Sequence, residues 1–167
     1  LVLTTLLFGF TFGSSGTEGR SFLTDLSQAN FSALSSAFIG GIIFNLSNLL
    51  IVAATAIAGL AVAFPIAVGL ALVIGVVVNY IATPLGNPVL LFVGLALVVL
   101  AILVDTAAYK KLPQDKKGDQ KKGIIISIIS GILMGFFYRF VAASMTTNFA
   151  TPDAGLLTPY SAMFVFT

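Results

Sequence analysis

Four apolar segments, each about as long as a bilayer is thick, constrain the fold of this chain more than any other feature. They cover residues 31–56, 59–81, 89–109 and 123–145. A helix of about 20 apolar residues crosses the hydrocarbon core of a membrane. Hydrophobic residues make up 58% of the chain and charged residues only 8%, so a water-soluble fold would have to bury almost every side chain. The sequence therefore predicts an all-α integral membrane protein, a polytopic transmembrane helix bundle in the lipid bilayer.

Shorter segments flank and connect these spans. Residues 1–12 are apolar but too short to cross a bilayer alone, so they are predicted to be the end of a truncated helix, and residues 158–167 the start of another. The sequence "SFLTDLSQA" at residues 21–29 favours a short helix at the membrane interface. Because apolar runs occur at both ends, the chain is interpreted as an internal fragment of a longer protein.

The lysines predict the orientation of the chain in the membrane. All of them lie between Lys110 and Lys122. Loops rich in lysine and arginine are typical of the cytoplasmic side, so residues 110–122 are predicted to form a cytoplasmic loop of a protein in the plasma or inner membrane. The polar segments 13–30, 82–88 and 146–157 are then outside. No aromatic residues are interleaved with these lysines, which argues against nucleic-acid binding.

Small residues recur at every fourth position in three of the four spans. On a helix this spacing places them on one face, where they allow the backbones of neighbouring helices to approach closely in lipid. The sequence therefore predicts a tightly packed bundle. The three stripes consist of Ala33, Ala37, Gly41 and Asn45; of Ala63, Ala67, Ala71, Gly75 and Asn79; and of Ser127, Gly131 and Gly135.

The residue types exclude most enzyme chemistry. The chain contains neither cysteine nor histidine, which removes disulfides, thiolate chemistry and histidine acid–base catalysis. It also lacks a nucleophile–base pair, a cluster of metal ligands and a glycine-rich phosphate loop. We therefore expect no catalytic residue, no metal and no cofactor, and the protein is not expected to be an enzyme.

Asparagines within the spans are the first candidates for a binding site. Asn45 and Asn48 share a helix face near the middle of their span, with Ser47 beside them. A buried amide without a partner costs several kcal/mol in hydrocarbon, so these side chains are expected either to bond between helices or to line a site. Asn79, at the end of the second stripe, is included in the candidate substrate-binding set.

Pro65 and Asp105 each have two interpretations. Pro65, in "AVAFPIAVG", removes one backbone donor and is either an ordinary kink or a hinge that exposes a carbonyl to substrate. Asp105 lies near the cytoplasmic end of its span, where it either pairs with a lysine at the interface or carries a coupling proton.

Arg139 is the charged residue inside the fourth span. It lies past the centre of that span, toward the outer side, with Tyr138 beside it. A long arginine stem reaches the headgroups from such a depth, and tyrosine favours the interface. The alternative is contact with a substrate in an outward-facing cavity, so Tyr138 and Arg139 are predicted to lie at an outer mouth.

The order of several longer stretches resembles one transporter family. These are "GRSFLTDLSQAN", "GGIIFNLSNLLIVAATAIAGLAVAFPIAVGLALVIGVVVNYI", "GNPVLLFVGLALVVLAILVDTAAYKKL" and "KGIIISIISGILMGFFYRFVAASM". Together they are similar to the ureide permease and glucose/rhamnose-uptake-like branch of the drug/metabolite transporter superfamily. The resemblance covers nearly the whole chain and rests on hydrophobic segments joined by recognisable loops.

This resemblance implies an architecture and a function. The fold would have ten transmembrane helices in two inverted repeats of five, with substrate between them. Residues 1–109 would be the end of the first repeat, 110–122 the central loop, and 123–167 the start of the second repeat. The protein would be a secondary permease that moves a small polar metabolite (a cyclic amide or ureide, a nucleobase or a sugar) by alternating access, with a coupling proton or sodium ion. The alternative is a membrane scaffold or assembly subunit that transports nothing.

Overall fold

The computed structural model describes residues 1–15, 19–84, 86–109 and 119–167, and every regular element within these ranges is a helix. The helices are α1 (Val2–Phe10), α2 (Phe22–Gln28), α3 (Phe31–Ala58), α4 (Leu60–Ala82), α5 (Pro88–Tyr109), α6 (Gln120–Ser144) and α7 (Pro159–Phe166).

Four of these helices, α3 to α6, are long and apolar enough to cross a membrane. They coincide with the four predicted spans, and α2 coincides with the predicted short helix, so the prediction of an all-helical membrane protein is confirmed. Most of the lysine-rich segment, residues 110–118, lies outside the described residues.

The start of α6 differs from the prediction by three residues. The helix begins at Gln120 rather than after Lys122, so both Lys121 and Lys122 are helical. The side-chain oxygen Oδ1 of Asp119 accepts a hydrogen bond from the backbone N–H of Lys121 at 3.1 Å. Such a side-chain cap satisfies one of the free N–H groups at a helix start. Asp119 therefore caps the start of α6, three residues before the apolar segment begins.

The chain divides into two compact units. One comprises residues Leu1–Ile42 and Arg139–Thr167, and the other comprises Ile43–Tyr138. The boundaries fall inside α3 and α6.

In the second unit, α3 and α4 are joined by a single residue, Gly59. Its φ of 84° lies in the left-handed region, which favours glycine. Its carbonyl oxygen accepts the N–H of Ala63 at 3.0 Å, which starts the next helix. Gly123 of α6 lies against Ala58, beside this turn. The start of α6 and the α3–α4 turn are therefore at the same end of this unit.

The predicted stripes on α4 and α6 pack against each other. Gly131 faces Ala67, and a Cβ atom added to it would stand 2.7 Å from the Ala67 carbonyl oxygen. One turn further on, Gly135 meets Ala71 and Ile74. The prediction that these small residues permit close backbone approach is confirmed.

The stripe on α3 has a different partner. Ala33 and Ala37 are buried with Leu157 and Ala162 in the core of the first unit, and Gly41 lies against the backbone of Phe166. The small residues of α3 in this unit thus pack against α7 and the segment that precedes it.

Helix α5 contacts α4 along one side. Gly69 of α4 faces Ile102, and the rings of Tyr80 and Phe92 meet edge to face with centroids 5.5 Å apart. No residue in the most apolar part of α5 is buried. The described contacts of α5 therefore leave most of its apolar surface exposed.

Candidate functional site

Two buried serines join α3 to α6. Ser47 is fully buried, and its hydroxyl donates to the Ser130 carbonyl oxygen at 2.7 Å. The Ser130 hydroxyl donates to the Ser47 carbonyl at 2.8 Å, and the two hydroxyl oxygens are 3.0 Å apart. Sequence reasoning noted Ser47 as a neighbour of the asparagines and missed Ser130. The only signal was a serine on an apolar helix, and many such serines bond within their own helix, as Ser127 does to Gly123.

The candidate asparagines lie on α3 and α4, and two of them bond within their own helix. The Asn48 amide donates to the Phe44 carbonyl at 2.9 Å, and the Asn79 amide donates to the Gly75 carbonyl at 2.7 Å. Asn48 and Asn79 are half-buried and Asn45 is exposed. No hydrogen bond joins Asn48 to Asn79, and neither of their amide oxygens accepts one from the residues that the structure describes. Each of these two side chains therefore keeps an acceptor for another group.

Pro65 lines an apolar groove of about 470 Å³ between α4 and α5. The walls include Leu70 and Ile102, and Ile128 of α6 contributes one edge. The polar Thr106 hydroxyl in this groove is already bonded to the Ile102 carbonyl at 2.7 Å. No asparagine of the described chain lines this groove. The structure thus separates Pro65 from the amides with which it was grouped.

Tyr138 and Arg139 are both exposed. The Arg139 guanidinium forms no ion pair or hydrogen bond with any residue that the structure describes. The helix continues for five residues to Ser144, which is about 8 Å at 1.5 Å per residue. An extended arginine side chain covers that distance, so this position allows the guanidinium to reach the level of the helix end.

In the first unit, a buried ion pair joins α2 to the segment before α7. Asp25 is fully buried, and its Oδ1 accepts Arg20 Nε at 2.9 Å. Its other oxygen, Oδ2, accepts both the backbone N–H and the hydroxyl of Thr158, at 2.7 and 2.9 Å. The Arg20 guanidinium also donates to three backbone carbonyls, those of Pro152, Asp153 and Leu156.

Gln28 strengthens the same connection. Its amide donates to the Leu156 carbonyl at 2.9 Å, and its oxygen accepts the N–H of Gly155 at 2.7 Å. The segments 13–30 and 146–157, predicted to lie on one side of the membrane, are therefore in contact. Sequence reasoning did not predict this ion pair.

A cleft of about 370 Å³ opens beside this ion pair. Its walls combine the aromatic rings of Phe12 and Tyr160 with the polar groups of Ser15, Arg20 and Thr158. This cleft, unlike the groove at Pro65, offers hydrogen-bonding groups to a ligand.

A family model described as ureide permease matches residues 1–123. These residues include α1 to α5 and the first turn of α6. The chain belongs to the ureide permease family. The chain is also similar to curated ureide permeases. It is 31% identical over 120 residues to Ureide permease 2 of Arabidopsis thaliana, and 32% identical over 117 residues to Ureide permease 1 of the same plant.

These ureide permeases are much longer than the chain. Both alignments cover 70% of the chain and 30% of the relative, so the chain spans about a third of the length of the curated relatives it matches. No solved structure matches the chain.

The ureide permease match includes some of the candidate residues and not others. Asn45, Asn48, Asn79 and Pro65 lie inside the matched residues, as does the Arg20–Asp25 ion pair. Tyr138 and Arg139 follow the matched residues. A permease is a transporter and not an enzyme, so membership of this family agrees with the expectation that the protein is not an enzyme.

Proposed function

We propose that the protein is a secondary permease that moves a ureide or a similar cyclic amide across a membrane by alternating access. The observation that carries this proposal is the ureide permease match over residues 1–123, which covers three of the four membrane-crossing helices completely. Nucleobases and sugars are the other substrates that the resemblance to the wider superfamily implies. The scaffold alternative has only the tight helix packing in its favour, and a permease has the same packing.

The proposed architecture is part of a ten-helix transporter with two inverted repeats. Residues 1–109 would end the first repeat and residues 123–167 would begin the second, on either side of the lysine-rich loop at 110–122. Transporters of this kind bind substrate between the repeats near the middle of the membrane.

The proposed substrate-binding residues are Asn45, Asn48 and Asn79, with Pro65 as a hinge. The support for Asn48 and Asn79 is their unused amide oxygens, which accept N–H groups of the kind that a ureide carries. The support for Pro65 is that the carbonyl oxygen of Ala61, one turn earlier, cannot receive the usual helical N–H. Because Pro65 lines an apolar groove, its proposed role is in the motion of α4 and not in direct contact with substrate.

The outer mouth is proposed to include Tyr138 and Arg139, which are exposed near the end of α6. A coupling proton or sodium ion completes the proposal. Within α3 to α6, Asp105 of α5 is the one residue with a carboxylate side chain, and it is exposed. It is therefore the residue proposed to carry a coupling proton.

Uptake of radiolabelled allantoin, a ureide, tests the function. The protein, in its full natural length, is expected to accumulate allantoin in proteoliposomes, and unlabelled allantoin is expected to compete better than glucose. Asn48→Ala is expected to lower uptake about tenfold, the effect of losing one hydrogen bond to substrate. Thr55→Ala is the control, because among the described residues its hydroxyl bonds just to Val52 in the same helix. Equal uptake by Asn48→Ala and Thr55→Ala at equal protein levels would remove Asn48 from the site.

Labelling of lysines tests the proposed orientation. A membrane-impermeant amine reagent is expected to leave Lys116 unmodified in intact cells and to modify it after permeabilisation, because positively charged loops remain in the cytoplasm. A cysteine introduced at exposed Ser27 is expected to react with an impermeant thiol reagent in intact cells. The reverse pattern at the two positions would invert the orientation.

A further inference from the structure

The groove between α4 and α5 suits an apolar ligand. Its volume of about 470 Å³ lies within the range of about 300–1,000 Å³ that is typical of ligand sites. Among the described residues that line it, Thr106 is the one with a polar side chain, and its hydroxyl already donates to the Ile102 carbonyl. The rest of the wall consists of proline, glycine and aliphatic side chains. A hydrocarbon chain is therefore the kind of ligand that matches this lining.

The groove lies toward one end of three membrane-crossing helices. Pro65 is near the start of α4, Thr106 is near the end of α5, and Ile128 is in the third turn of α6. From this level the groove extends along α4 to Val73, which is about 12 Å at 1.5 Å per residue. The groove therefore runs from near the end of the helices toward the middle of α4, as an acyl chain of a bilayer lipid does.

A lysine lies beyond this end of the groove on the same face of α6. Lys121, Ile125 and Ile128 follow one another at intervals of four and three residues, which places them on one helix face. All three are exposed. Lys121 precedes Ile128 by about 10 Å along the helix at 1.5 Å per residue. Exposed apolar surface therefore connects the groove to a positive charge.

The charge of Lys121 is not neutralised by the described part of the chain. Lys121 forms no ion pair with any residue that the structure describes, whereas Lys122 is 3.9 Å from Asp119. One carboxylate for two lysines leaves the first turn of α6 positively charged. The helix dipole is also positive at this end, so it disfavours a free lysine and favours an anion beside it. An anionic group is thus the expected partner of Lys121.

We propose that the groove and Lys121 together bind an anionic phospholipid of the bilayer. One acyl chain lies along Pro65, Ile102 and Ile128, and the phosphate of the headgroup contacts the Lys121 amine. Basic residues at the ends of membrane helices bind the headgroups of acidic lipids, and a phospholipid carries the hydrocarbon and the anion in one molecule. The proposal requires that the protein lies in a bilayer and does not depend on transport.

Titration with matched lipids tests the ligand class. Delipidated full-length protein in detergent is titrated with dioleoyl phosphatidylglycerol or dioleoyl phosphatidylcholine, and bound lipid is counted by native mass spectrometry. The two lipids have the same acyl chains, but only the first has a net negative charge. Phosphatidylglycerol is expected to bind at least about fivefold more tightly, the effect of one lysine on an acidic headgroup. Glycerol phosphate, which has the anion without the chains, is expected not to displace it.

Three results of this titration would overturn the proposal. Equal affinity for the two lipids would mean that Lys121 does not select the headgroup. Displacement by glycerol phosphate would mean that the protein binds a phosphate ion alone. Failure to bind either lipid would mean that another part of the full-length protein fills the groove.

Adjacent lysine variants locate the headgroup. Lys121→Gln is expected to weaken phosphatidylglycerol binding about fivefold and to leave phosphatidylcholine binding unchanged. Lys122→Gln is the control, because it removes the same charge from the next residue, which lies off the face that leads to Ile128. A much smaller effect is expected for this control. Equal losses in the two variants would indicate a diffuse attraction to the lysines and no site at Lys121.

Two tryptophan variants of α5 locate the acyl chain. Leu103 lines the groove and is 61% exposed, whereas Leu97 is 62% exposed and lies outside the groove lining. Leu103→Trp is expected to weaken the binding of both lipids about tenfold, because the indole displaces about two CH₂ groups of the chain from the groove. Leu97→Trp is expected to bind both lipids like the parent protein. If the two variants bind lipid equally, the acyl chain does not occupy this groove.

Discussion

Asp25→Ala is expected to lower the free energy of unfolding by about 3–5 kcal/mol, the cost of removing one partner of a buried ion pair. The substitution leaves the Arg20 guanidinium without its carboxylate, and it leaves the N–H and hydroxyl of Thr158 without their acceptor. Proteins are stable by only about 5–15 kcal/mol. The expected result is therefore a large fall in the thermal unfolding midpoint of the protein in detergent, together with low yield.

The matched control for this substitution is Asp119→Ala. Asp119 also forms an ion pair, with Lys122 at 3.9 Å, but both side chains are more than half exposed. Exposed pairs contribute about 0–1 kcal/mol and a side-chain cap such as that of Asp119 on the Lys121 N–H about 0.5–2 kcal/mol, so a smaller change in midpoint than for Asp25→Ala is expected. If Asp25→Ala and Asp119→Ala lower the midpoint equally, the Arg20–Asp25 pair does not stabilise the contact between α2 and the segment before α7.

Gly131→Leu is expected to prevent the close approach of α4 and α6. The first added carbon atom would already stand 2.7 Å from the backbone oxygen of Ala67 and 3.0 Å from the Leu70 side chain. Because the nearer atom belongs to the backbone, no side-chain rotation relieves the clash. Overpacking of a core costs about 1–3 kcal/mol, and leucine should reach the upper end of that range. The Gly131→Leu protein is expected to have a lower thermal unfolding midpoint. It is also expected to show more aggregate on size-exclusion chromatography.

Gly94→Leu is the control, because it makes the same substitution on a membrane-crossing helix. A Cβ atom at Gly94 has no described atom within 4 Å. This variant should therefore match the parent protein in midpoint and elution volume. A Gly131→Leu protein as stable as Gly94→Leu would contradict the described packing of α6 on α4.

Periodic features of the sequence predicted the spans and part of their packing. Length and hydropathy suffice for α3 to α6, because a bilayer requires about 20 apolar residues of any helix that crosses it. The glycines and alanines of α4 and α6 were equally predictable as packing faces, since small residues are what close helix approach requires. The sequence could not predict which helix each stripe would contact, because a stripe of small residues is equally suited to any neighbouring helix.

The polar contacts of the fold were not predictable from single positions. Arg20 meets carbonyl groups more than 130 residues away, and Ser47 meets Ser130 across 83 residues. Each depends on a tertiary arrangement that no local pattern encodes. For the same reason the cleft at Tyr160 was missed, since its walls come from the segment after α1, the segment before α2, Phe149, and the start of α7. The roles of Asn45, Asn48, Asn79, Pro65 and Arg139 in transport remain predictions.

The reciprocal bonds between Ser47 and Ser130 restrict the relative motion of α3 and α6. Each hydroxyl reaches the backbone of the other helix, so both bonds lie at one level of the bundle. Sliding one helix by a single turn, about 5.4 Å, would break both bonds. The serine pair therefore fixes the register of α6 along α3 at this level of the bundle.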